Sequence, residues 1–99
     1  MPYGYTGTMK TKPGHRDEVV AILLAGADGL RDAGCHLYTV AVSVSQEDTI
    51  WVNEVWRSKK HHDASLELPE TRAAIRAAMS MLTGEFTQQE LTVVGGLGL

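Results

Sequence analysis

The chain is poor in cysteine, in positive charge and in long apolar runs, and it is short. Its single cysteine, Cys35, excludes an internal disulfide framework and reads as a small buried side chain. Nine Lys and Arg stand against twelve Asp and Glu, a formal charge of −3. That balance supplies no basic surface for nonspecific nucleic-acid binding, so no nucleic-acid partner is expected. The longest strongly apolar stretch, Val19 to Ala25, is too short to cross a bilayer, so no membrane partner is expected either. No positively charged start followed by an apolar core marks a secretory leader, and the expected location is the cytoplasm. Ninety-nine residues fit one domain, taken as residues 1–99. Folding at this size removes only about two-thirds of the unfolded chain's surface from water, so the core is modest and a partner covering one face would add stability.

What is present is an ordinary globular composition, with 43% apolar and 21% charged residues. Tyr3 to Thr11 reads as a strand with Tyr3, Tyr5, Gly7 and Met9 on one side and Gly4, Thr6, Thr8 and Lys10 on the other. Lys12-Pro13-Gly14 breaks it. A helix is predicted from about His15 to Ala33, its apolar stripe formed by Val20, Leu23, Leu24, Ala27 and Leu30, with Gly34 as its stop. Cys35 to Val44 is the second strand, the polar residues Ser45 to Asp48 are a hairpin turn, and Thr49 to Arg57 is the third strand. Ser58 caps a helical stretch from Lys59 to Leu68. Pro69 interrupts it, and a second stretch runs from about Glu70 to Leu82 with Ala74, Ile75, Ala78, Met79 and Leu82 as inner stripe, ended by Gly84. Gln88 to Val94 is the last strand.

The order is β-α-β-β-α-β, an α+β ferredoxin-like arrangement in which two helices cover one face of a four-stranded antiparallel sheet. A face meeting water should be polar. Yet His36, Tyr38, Val40, Val42 and Val44 share one side of the second strand while Leu37 and Ala41 lie on the other. The third strand likewise puts Ile50, Val52, Glu54 and Trp56 on one side and Trp51, Asn53 and Val55 on its reverse. Both faces call for burial, and a homodimer joined through the open sheet face is the simplest supplier.

Ile50-Trp51-Val52-Asn53-Glu54-Val55-Trp56-Arg57-Ser58, with Lys59-Lys60-His61-His62-Asp63-Ala64-Ser65-Leu66 after it, resembles the antibiotic biosynthesis monooxygenase (ABM) family. The Lys12-Pro13-Gly14 break, the Gly34-Cys35 start of strand two, Glu54-Val55-Trp56 leading into Ser58-Lys59, and Val93-Val94-Gly95-Gly96 extend the resemblance over nearly the whole chain. It implies a dimeric α+β barrel, a small aromatic substrate, dioxygen as co-substrate, and no metal or cofactor. The deprotonated substrate passes an electron to dioxygen, while the protein binds, orients and deprotonates it. By this resemblance Asn53 and Trp56 are expected catalytic residues; His62, at a helix N-terminus, is the expected general base beside them, and Tyr38, Glu54 and Met79 are the expected substrate contacts. The family's Asn and Trp share a side, whereas Asn53 and Trp56 are three apart and point to opposite faces of a regular strand unless it bulges. Many members carry a His three positions beyond His62, where this chain has Ser65.

The residues also have plainer roles. Trp56 fills a core, Asn53 bonds backbone or faces solvent, and Glu54 on an apolar face is either ionised against an arginine such as Arg72 or Arg76 or carries a raised pKa. His61 and His62 open a helix among Arg57, Lys59 and Lys60, as a solvated face or as a phenolate site with His62 as general base. Adjacent on a helix, the two rings point about 100° apart and do not chelate one metal ion. Haem degradation is disfavoured, since strand one has no Asn and Leu66 occupies the region of the required His. The expected function is cofactor-independent oxidation of a quinol or polycyclic phenol. The alternative is a non-catalytic dimeric barrel that binds a small hydrophobic ligand or acts in stress response.

Overall fold

In the computed structural model, which describes residues 1–99, the elements are β1 (Tyr3–Thr11), α1 (Arg16–Ala25), β2 (Cys35–Val42), β3 (Thr49–Trp56), α2 (Lys59–Ser65), α3 (Pro69–Met79) and β4 (Leu82–Thr92), with a 3-10 turn over Asp28–Leu30 after α1. The strands form one antiparallel sheet in the order β2-β3-β1-β4. This is the expected α+β order, with the second crossover split into α2 and α3. Leu68 is extended and Pro69 begins α3, where its missing N–H costs no helical bond. No helix is long and apolar enough to cross a membrane.

β3 lies between β1 and β2, and its alternation organises the core. Ile50, Val52 and Trp56 are buried on one face. Val19 of α1 and Ala78 of α3 pack there with Ile50 and Val52, surrounded by partly buried Met9, Val20, Ile22, Leu23, Tyr38, Val40, Met81 and Leu82. Only 11 of 99 residues are buried, so this single layer is the whole core. Its helical stripe is rotated from the expected one: Val19 and Ile22 face in, while Leu24 is half exposed. On α3, Ala78 alone is buried, and Ile75 and Met79 look outward.

Three boundaries differ from expectation for identifiable reasons. α1 stops at Ala25, because Gly26 and Gly29 are poor helix formers and the chain tightens into a 3-10 turn. β2 begins with a bulge: Cys35 pairs with Trp56 and Leu37 with Val55, leaving His36 as the extra residue. Cys35 therefore faces the core, and His36 is exposed rather than in line with Tyr38. Gly84 does not end a helix. It takes φ +91° inside β4, where Thr11 pairs with Leu82 and Met9 with Phe86, so the irregularity lies within a strand that begins six residues earlier than expected. Gly7 answers a different demand: a Cβ there would stand 2.7 Å from the Thr87 carbonyl oxygen, so β4 approaches β1 at a distance only glycine allows.

The reverse face carries Thr6 and Thr8 of β1, Trp51, Asn53 and Val55 of β3, Leu37 and Ala41 of β2, and Thr87, Gln89 and Leu91 of β4. Trp51 is 44% exposed, and charge enters this face only at one end, where Lys10 pairs with Glu85.

Ile50→Ala should destabilise the chain by about 2–5 kcal/mol, since Ile50 is sealed between sheet and helices. Ile75→Ala, on the outer side of α3, should cost about 0.5 kcal/mol or less. Urea unfolding at one fixed protein concentration checks both, and equal losses would contradict this core.

Candidate functional site

Trp56 and Glu54 are two apart on β3, so both point under the helices. A carboxyl in that apolar row needs a partner, and the Trp56 indole N–H donates to Glu54 Oε1 at 2.8 Å. The strands on either side bring tyrosines to it. Tyr5 of β1 and Tyr38 of β2 both stand opposite Glu54, and Tyr3 stands opposite Trp56.

His62 closes the cluster from α2. The Ser58 side chain caps that helix by accepting the His61 N–H. The His62 ring stacks on Tyr5 with centroids 5.1 Å apart, lies 5.2 Å from Tyr3, and meets Trp56 edge-on at 5.8 Å. It is 8% exposed, and its Nδ1 lies 3.0 Å from the Asp63 carboxylate. That contact assigns the neutral ring's proton to Nδ1 and leaves Nε2 as the basic nitrogen. At the rim, Lys59 bridges Asp63 and Glu90, and Tyr3 also donates to Glu90.

Burial pushes the Glu54 carboxyl above its ordinary range, against the opposing pull of the Trp56 N–H and of His62. Burial, and then the Glu54 charge, push the Tyr38 phenol up to about 12, and Tyr5 rises for the same two reasons. The phenols are therefore proton donors at neutral pH, and Glu54 holds its proton more tightly than a free carboxyl does. Two open clefts, of about 690 and 820 Å3, lie elsewhere and include neither Glu54, Trp56 nor His62.

A model of the family described as antibiotic biosynthesis monooxygenase matches residues 2–77. The chain belongs to the antibiotic biosynthesis monooxygenase family. A proposed antibiotic biosynthesis monooxygenase from Chloroflexus aurantiacus J-10-fl is 36% identical over 99% of this chain and 100% of its own, with a TM-score of 0.82. The fold is shared with Rv0793 from Mycobacterium tuberculosis, at 19% identity, 98% and 99% coverage and a TM-score of 0.84. It is shared also with a protein from Caulobacter crescentus CB15, at 22% identity, 95% and 91% coverage and a TM-score of 0.87. No protein of curated function matches.

Within this ABM chain, Trp56, His62, Glu54 and Tyr38 come together, and two others of the expected residues do not join them. Asn53 stands on the reverse face, where it accepts the Thr6 hydroxyl at 2.6 Å; β3 does not bulge, so the odd spacing separates it from Trp56. Met79 is 56% exposed on α3 and packs on no part of the core. Glu54 has no arginine partner, and Arg72 pairs with Glu67 instead. Tyr3, Tyr5 and Asp63 were not foreseen as site residues. The alternation of β1 already placed the two tyrosines on one side, and antiparallel pairing with β3 would have delivered them to Glu54 and Trp56.

Glu54→Gln should keep the indole bond, because the amide oxygen still accepts. The folded chain holds the Glu54 proton more tightly than the unfolded one, so this contribution to stability is fully present below about pH 4.5 and is lost as pH rises through the raised value. The Gln variant should lose that decline. Stability measured by denaturant at a series of pH values checks it, and parallel curves for the two proteins would exclude the assignment.

Proposed function

We propose that this ABM protein is a cofactor-independent monooxygenase that oxidises a quinol or polycyclic phenol with dioxygen. The observation that carries the proposal is the His62 ring, tied to Asp63 through Nδ1 and set against Tyr3, Tyr5, Glu54 and Trp56. Nε2 takes the phenolic proton, and the aromatic walls hold the flat ring. The phenolate passes an electron to dioxygen. For an anthrone-type substrate the methylene carbon becomes a carbonyl, one oxygen atom stays on that carbon and the other leaves as water with both methylene hydrogens. The substrate supplies all four electrons. Trp56 is 1% exposed, so it acts through Glu54 and is a positioning residue. Asn53 takes no part at this face.

A second copy covers the reverse face in this proposal, because Trp51, Leu91 and Val55 form an apolar patch whose central rows carry no charge. The other reading is a non-catalytic dimer that binds a small hydrophobic ligand. The tight filling around Trp56, which leaves no large cavity beside it, favours the absence of turnover in that reading.

Oxygen uptake across a panel of quinols and anthrones separates the two readings, and silence throughout would favour binding alone. With an active substrate, His62→Gln should lower turnover about a hundredfold or more, as loss of a general base does. Trp56→Phe should lower it about tenfold, with the dimer intact and the Glu54 titration moved further up. Full activity in the His62 variant would remove that residue from the mechanism. Trp51→Lys should yield monomers in sedimentation velocity, and an unchanged dimer would place the interface elsewhere.

A further inference from the structure

The cleft of about 690 Å3 lies where the start of β2, the end of β3, α2 and the C-terminal Gly98 and Leu99 meet, and its lining includes Arg31, Arg57, His36 and His61. Asp32 is the one acidic side chain among its lining residues, in a chain whose formal charge is −3. The ion pairs of the molecule engage Lys10, Arg16, Lys59 and Arg72, and Arg31 and Arg57 belong to none of them. Two arginines that make no ion pair with an Asp or Glu side chain thus line one concavity.

The wall between them is built rather than loose. Gly34 has φ +100°, and a Cβ there would lie 2.8 Å from His61 Cδ2, so the imidazole rests directly on the glycine backbone. The Gly34 carbonyl accepts the Arg57 N–H at 2.9 Å, which ties the start of β2 to the end of β3. Ser58 Oγ accepts the His61 backbone N–H and lies 2.7 Å from His61 Nδ1. With the hydroxyl hydrogen given to Nδ1, the ring carries its proton on Nε2, a donor. Cys35 is wall and not nucleophile: its thiol donates to the Leu37 carbonyl and burial pushes its pKa up.

We propose that this cleft binds the oxyanion group of a small ligand, a phosphate or a carboxylate, through Arg31, Arg57 and His61. Guanidinium forks suit both groups, and charge-assisted bonds to them are the strong ones. The site shares no side chain with the Glu54–Trp56–His62 cluster, so it stands whether or not the chain is an oxygenase.

Titration of the 15N-labelled full-length protein with sodium phosphate, and separately with sodium acetate, at ionic strength held constant with sodium chloride, tests it. Saturable amide shifts centred on Gly34, Arg57 and His61 are expected with at least one of the two anions. Saturation by phosphate alone identifies a phosphoryl ligand, and saturation by acetate alone a carboxylate. Arg31→Gln and Arg57→Gln replace exposed side chains, so both variants should melt as the parent does, and each should weaken binding about tenfold. Shifts no larger than chloride produces, or undiminished binding in both variants, would overturn the site.

Discussion

A carboxyl group in an apolar row is the constraint from which the chemistry of this molecule follows. Period-two alternation on β3 puts Glu54 in line with Ile50, Val52 and Trp56, and that line is the one the helices bury. An acid placed there needs a donor and an environment that tolerates either protonation state. The Trp56 indole supplies the donor, neighbouring strands supply Tyr5 and Tyr38, and α2 lowers an imidazole onto them. Only the indole bonds the carboxyl directly, while Tyr5 donates to Gln88 and His62 pairs with Asp63, so polar and aromatic groups gather on one packing face.

Much of this was legible in the sequence where local chemistry was strong. β1 ends as Lys12-Pro13-Gly14 requires, Ser58 caps α2, and Pro69 starts α3. The three-residue spacing of Asn53 and Trp56 correctly implied opposite faces. Errors arose where one residue supports two roles. Gly84 marks helix ends and strand irregularities alike, and only the pairing of Thr11 with Leu82 decides between them. The bulge at His36 inverts the phase of β2 at its start, which strict alternation cannot show. The inward side of α1 depends on where the sheet lies, and Val19 and Leu24 look equally apolar in a string of letters. The tyrosines were hidden for a similar reason, since their meeting with Glu54 is a matter of register between strands almost fifty residues apart.

The two sides of the sheet are distinct surfaces. Side-chain hydrogen bonds cross the reverse face between Thr6 and Asn53 and between Thr8 and Thr87, so these four residues are already matched with one another. Bonded in that way they cost little to cover, and the apolar Trp51 and Leu91 between them gain from being covered. The helical face holds the ionisable groups and the core. Family membership rests on a match over residues 2–77, whereas the proposed activity would rest on a few side chains of that one face.

α2 has seven residues, below the length at which a helix persists in water, and its cap at Ser58 does not change that. Its order is borrowed from the ring that it presses against Tyr5 and Tyr3. Withdrawal of the imidazole from the sheet would therefore remove, with the burial of Ser65, the packing that holds these roughly two turns in place. The side chain that α2 presents to Glu54 and Trp56 thus also anchors its own helix.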